Sequence, residues 1–233
     1  MAVAWRDSNS SNNAGGGTTI TCTFPTGLTA GDIMILGVGV RGGTDTTITD
    51  PADWTLLGSQ VNSTTVLAQK LYWKVATAAD VTAGSVDITI TSNKASASVA
   101  AISGASDVTP VAAEYGGQAN ASHENITAPS IGPWASAAGV LVFVGSHATG
   151  TTESLQDVSF ALDSQSSSTG AGAGSRTTTA CAYDLRTATS YTSSAVVIGG
   201  AAVNIGHMVW IAPPAAAADR VPYSTPYPQL LAH

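Results

Sequence analysis

Catalysis and metal binding need nucleophiles, acids, bases or ligands held close together, so those residues come first. The chain of 233 residues has four histidines: His123, His147, His207 and His233. A metal site would show as two histidines at helical spacing or as two with a carboxylate, and neither pattern occurs. A Ser–His–Asp relay needs a serine presented on a sharp turn. Serines abound here, but no GxSxG elbow does, so near-matches arise by chance. Glycosidic acid–base chemistry needs two carboxyls facing across a cleft. Glu114, Glu124 and Glu153 are the three glutamates, and none lies in a strand-like context that would place it. The run GAGAGS (170–175) has neither the lysine nor the helix of a phosphate loop. Cys22 and Cys181 stand far apart with no CxxC, which predicts two buried, reduced thiols. These readings predict no enzymatic activity, no cofactor and no metal.

The densest cluster is DPADWTLLGSQ (50–60). It admits two readings. Asp45, Asp50 and Asp53 with Trp54 could hold a calcium ion or a sugar, although they lack the alternate-ligand spacing of a calcium loop. Alternatively, Asp50 and Pro51 start a turn, and Trp54 plugs the core where the next strand begins. The corner reading is preferred, with Asp50, Pro51 and Trp54 as its structural residues. Trp5, Trp73, Trp134 and Trp210 likewise fall near strands or corners and read as core. Asn-x-Ser/Thr matches at Asn9, Asn62, Asn120 and Asn125 read as chance in a chain so rich in hydroxyls.

Composition narrows the class. Charged residues make up 10% of the chain, against a usual ~25%. Ser, Thr, Ala, Gly and Asn replace them. The net charge of −7 and the scattered eight basic residues argue against nucleic acid, which needs clustered cations. The longest apolar run, near Ile33 to Val40, is shorter than the ~20 residues of a membrane helix. The N-terminus MAVAWRDSNSS has no apolar signal core. The expectation is a protein made in a cytoplasm, with no membrane and no nucleic-acid partner.

Period-two alternation and β-branched residues mark strands at 18–24, 32–40, 64–76, 85–91 and 95–103. Residues 76–84 read as a turn or a single helical turn. The same order of signals then returns: 124–145 echoes the strands at 18–40, 175–189 echoes 64–76, and 193–213 echoes 85–103. This alignment sets Tyr72 against Tyr183. The expected fold is all-β: an antiparallel two-sheet sandwich, jelly-roll-like, built from two topologically similar halves. The sandwich spans 18–212, with halves at about 18–111 and 124–212 sharing one core; this is preferred over two tandem domains, which halves of ~100 residues could also form. A polar Gly-rich segment (1–17) precedes it, and SQSSSTGAGAGS (164–175) reads as a loop. Residues 213–233 hold five prolines and form an extended C-terminal arm. Pro222, Tyr223, Pro226, Tyr227, Leu230 and Leu231 are its expected docking residues.

Three stretches carry a family resemblance. They are GDIMILGV, then PADWTLLGS followed by LYWKVATAAD, then AISGASDVTPV (101–111). Together they resemble structural proteins of tailed-bacteriophage and prophage virions, over roughly residues 31–111. The motifs are structural rather than catalytic. The resemblance implies a virion β-sandwich, and among virion roles we read a capsid decoration or cement protein. A compact sandwich with polar arms, and without fibre repeats or heptads, favours that role. Its partners would be the major capsid protein and copies of itself, as in a trimer. The alternative is a tail, tail-tip or fibre component that recognises a host glycan.

Overall fold

A computed structural model describes residues 2–106, 110–133, 139–148, 161–167, 176–186 and 195–214. The chain is all-β, with two large antiparallel sheets stacked face to face. The first half supplies one sheet and the second half supplies the other.

The first half contains β1 (Ala4–Asn12), β2 (Gly17–Thr23), β3 (Ile33–Arg41), β4 (Thr55–Leu56), β5 (Val61–Ser63), β6 (Leu67–Val75), α1 (Ala78–Ala83), β7 (Ser85–Asn93) and β8 (Ala95–Ser103). Its large sheet runs β1-β8-β3-β6-β4, with β5 also on β6. β2 pairs with β7 as a small second sheet. Ile48 bridges Ile90 on the other side of β7. The order 1-8-3-6 against 2-7 is jelly-roll connectivity.

Alternation explains why these strands bury both faces. Met34, Leu36, Val38, Val40, Tyr72, Ala97 and Val99 meet Ile20, Cys22, Ile88 and Ile90 of the small sheet. The residues of opposite phase, such as Ile33, Ile35, Leu71 and Ile102, face the second half. A strand covered on both sides reads as a continuous apolar run, as IMILGVGV does.

The second half contains β9 (Val111–Thr127), β10 (Gly139–His147), β11 (Ala161–Ser167), β12 (Thr178–Arg186) and β13 (Ala195–Ile211). Its sheet runs β11-β12-β10-β13-β9. Here β9 and β13 overrun the sheet and curl back across its outer face. Their ends pair Ile126 with Val196, much as Ile20 pairs with Ile88 in the first half. Ile126 lies against Gly145 and Gly206 of the sheet beneath. The enclosed core holds Ile126, Leu141, Phe143, Met208 and Trp210. Asn120 and Asn204 lock the bend. Asn120 Nδ2 donates to Asn204 Oδ1 (2.7 Å) and to the Thr127 carbonyl (3.1 Å).

The shared core between the large sheets is built on a close crossing of β3 and β10. Gly37 sits against Val144, Gly39 against Ser146 and Thr179, and Arg41 donates to the Ala148 carbonyl at 3.2 Å. Contacts thus advance in the same direction on both strands, 37 to 144, 39 to 146 and 41 to 148. β8 meets β12 on one side of this line, and β6 meets β13 on the other. A pseudo-twofold axis along the strands produces this arrangement, as in an isologous dimer.

Three expectations are corrected. The polar segment 1–17 was placed outside the sandwich, yet residues 4–12 form β1 and pair along β8. Residues 164–167, read as loop, belong to β11 on β12. The alignment of Tyr72 with Tyr183 slips by one residue. Tyr72 faces its own half's core, whereas Trp73 and Tyr183 both face the shared one. In a strand a one-residue slip exchanges faces. The short helix over 76–84 is α1, closed by a Thr77–Asp80 capping box.

Candidate functional site

The Asp50 cluster is a corner. Trp54 is 8% exposed and tilts against Phe24, with ring centroids 6.3 Å apart. The Trp54 backbone N–H donates to the Pro51 carbonyl at 3.3 Å, while Asp53 takes a left-handed φ of 64°. Asp50 accepts from Lys70 Nζ (2.6 Å) and from Tyr72 Oη (3.1 Å). Lys70 also donates to the Ile48 carbonyl at 2.7 Å. The Lys70 hydrogen bond holds the Asp50 carboxyl below its ordinary range. Burial, followed by the nearby Asp50 charge, pushes the Tyr72 phenol up. Asp45, Asp50 and Asp53 do not converge, and no metal-holding group of three occurs among the described residues.

Two of the other motifs behind the resemblance also brace joints. Asp32, of the Gly-Asp strand start, is 3% exposed. It takes a two-pronged contact from Arg6 of β1, Nε at 2.7 Å and Nη2 at 3.0 Å. It also accepts the Thr29 N–H at 2.8 Å, closing the turn before β3. Planar guanidinium suits such a bidentate grip. In the stretch LYWKVATAAD, Lys74 reaches Asp80 at 2.7 Å and ties β6 to α1. Arg6 escaped sequence reasoning because it lies in the polar segment placed outside the sandwich.

A buried polar band crosses the shared core, and it was also missed. Thr179 Oγ1 donates to the Ser96 carbonyl at 3.1 Å. A hydroxyl has one proton, so the Ser96 and Ser146 hydroxyls, each 2.8 Å away, donate to it. Across the pseudo-axis, His207 Nδ1 donates to Gln69 Oε1 at 3.1 Å. Both side chains are essentially inaccessible, and Gln69 Nε2 has no partner. Burial holds the His207 imidazole down at about 4, so it is neutral at pH 7. These groups fix how the halves sit, because apolar contacts alone are non-directional. The clue in sequence is small and polar residues at alternate places in apolar strands: Gly37, Gly39, Ser96, Ser98 and Ser146.

The remaining candidates are dispersed. His147 is buried at the end of β10, and His123 lies on β9 opposite Ala202. Glu114 and Glu124 also lie on β9. Of the sequons, Asn120 is 9% exposed and committed to the bend, while Asn62 Oδ1 accepts from Gln60. Cys22 and Cys181 are buried free thiols, and burial pushes the Cys22 thiol up to about 12. Trp210 is buried, and Trp5 stacks on Tyr183 at 4.3 Å across the seam. An open depression is lined by Gly15, Gly16, Gly17, Ser92, Asn93 and Lys94, without an acid or an imidazole. His233, Glu153, Trp134 and the docking residues Pro222, Tyr223, Pro226, Tyr227, Leu230 and Leu231 lie outside the described residues.

No protein-family model and no curated protein matches the chain. Among solved structures, the Fcho1 Mu homology domain of Danio rerio with bound Eps15 peptide aligns at 10% identity. The alignment covers 91% of this chain and 80% of that one, with a TM-score of 0.14. At that score the likeness carries no argument about fold or function.

Proposed function

We propose that this chain is a structural protein of a tailed-phage virion that decorates and cements the assembled capsid. The observation that carries the reading is the pair of jelly rolls locked face to face, with the resemblance motifs spent on joints rather than on a reactive site. Jelly rolls recur in viral capsid and lectin domains; that link is one of architecture. Between those two uses, Trp54 and Trp210 are buried and Trp5 is stacked in the seam, which favours a shell component over an aromatic sugar platform. A cement protein acts by mass action. It binds the closed lattice and not the free subunits, so its binding energy adds to lattice stability. The arm beyond residue 212 supplies contacts to neighbouring copies and to the major capsid protein.

Deletion of the gene from the phage or prophage that carries it tests this reading. Heads should still assemble but release their DNA at a lower temperature, and added purified protein should restore the wild-type value. Heads with unchanged thermal stability, or intact heads lacking tails, would reject it.

A further inference from the structure

Each roll has a core of its own. Ile20, Leu36, Tyr72 and Ile88 help close the first, and Phe143, Met208 and Trp210 the second. Among the described strands, neither large sheet borrows one from the other half. The chain passes from roll to roll once, between β8 and β9. The rolls can therefore part without unthreading. What joins them is the seam, and it changes character along its length. Ile35, Leu71, Val142 and Val209 make an apolar stretch. The polar band of Ser96, Ser146 and Thr179, with Gln69 and His207 across the pseudo-axis, makes the other. Buried polar groups stabilise only while their partners stay in place, and Gln69 Nε2 already lacks one.

His207 is where a proton can act on this band. Gln69 of β6 accepts from its Nδ1. Its Nε2 lies against Gly117 of β9, with Val61 of β5 beside the same place. Among the described side chains, none that faces the ring carries a charge. Lys70 and Lys74 of β6 point to the opposite face, toward Asp50 and Asp80. Arg41, at the end of β3, donates to the Ala148 carbonyl. His147 stands in the opposite phase of β10 from Ser146. A second proton on the ring thus makes a buried charge with no anion to answer it, which is strongly unfavourable. Water reaching the ring through the seam is the remaining remedy.

We propose that the seam is an acid-sensitive joint: protonation of His207 opens it from the polar band while each roll keeps its own core. The joint belongs to the fold itself, whatever particle or partner the chain serves.

The two native cysteines report on joint and roll separately. Cys181 lies in the seam and Cys22 inside the first roll, and both are buried free thiols. Opening of the joint exposes Cys181 alone, whereas global unfolding exposes both. The full-length protein is treated with 4,4′-dithiodipyridine, which reacts with thiols in acid. Mass spectrometry follows each cysteine between pH 7.5 and 5, with each rate divided by that of the urea-unfolded protein at the same pH. A solvated His207 takes its proton near 6.5 and the buried one at about 4, so the open population should grow roughly thirtyfold by pH 5. Cys181 should speed up by that factor, Cys22 should not, and His207→Gln should hold Cys181 at its neutral rate. Both thiols rising together would reject the joint in favour of unfolding as one unit. A wild-type Cys181 rate that is flat with pH would reject it outright, and neither of these outcomes needs a variant that folds. An equal rise in wild type and His207→Gln would assign the opening to another group and overturn the proposal.

Discussion

Acid should loosen this protein through His207. Its imidazole is wholly buried between the two sheets, donates to Gln69 Oε1, and is held down at about 4 by burial alone. In the unfolded chain the same group takes a proton near its ordinary 6.5. Between those two values the unfolded state binds the extra proton, so falling pH favours unfolding. The stability is present in full above pH 6.5 and is lost as pH falls to 4. A difference of some 2.5 pH units at 1.36 kcal/mol each gives about 3 kcal/mol. Urea unfolding followed by tryptophan fluorescence, at steps from pH 7.5 to 4, measures the loss. His207→Gln keeps an amide donor for Gln69 but cannot titrate, so its curve subtracts the carboxylates' share. Wild type should lose about 3 kcal/mol more than His207→Gln over this range. Parallel pH profiles for the two proteins would refute the reasoning.

Trp54→Ala should destabilise by ~3–5 kcal/mol in the same urea assay, as deletion of a buried aromatic does; a loss under ~1 kcal/mol would return Trp54 to the surface. A methyl added at Gly37 would meet Val144 Cγ1 at 2.3 Å, so Gly37→Ala should cost ~1–3 kcal/mol by overpacking. Adding Val144→Ala should recover part of that loss, and strict additivity would argue against the crossing. Iodoacetamide should leave the folded protein unlabelled near pH 8, since Cys22 is pushed up to about 12 and Cys181 is buried. Both thiols should label in urea, with mass spectrometry as the readout.

Strands with at least one apolar face were legible in the sequence because alternation is a local signal. The segment ASASVAAIS (95–103) is β8 residue for residue. β1 was illegible because, beyond Ala4 and Trp5, neither of its faces is apolar. Its Asn9 donates to the Phe24 carbonyl, and the Thr23 N–H donates to Ser11 Oγ. Polar side chains thus hold a strand that hydrophobic periodicity cannot see. The corner at Asp50, Pro51 and Trp54 was readable from turn chemistry and one large aromatic. The polar band was not, because Gly39, Ser96, Ser146 and Thr179 gain meaning only when strands from both halves are stacked. The same limit produced the Tyr72–Tyr183 slip, since low identity leaves the register open by one residue and the burial of each face decides it.

The virion role has one decisive observation: a low-dose electron cryomicroscopy reconstruction of the whole particle. The account predicts paired β-rolls on the outer surface of the head, with arms crossing to neighbouring copies. Density for the chain confined to the tail, or absent from the particle, would contradict it.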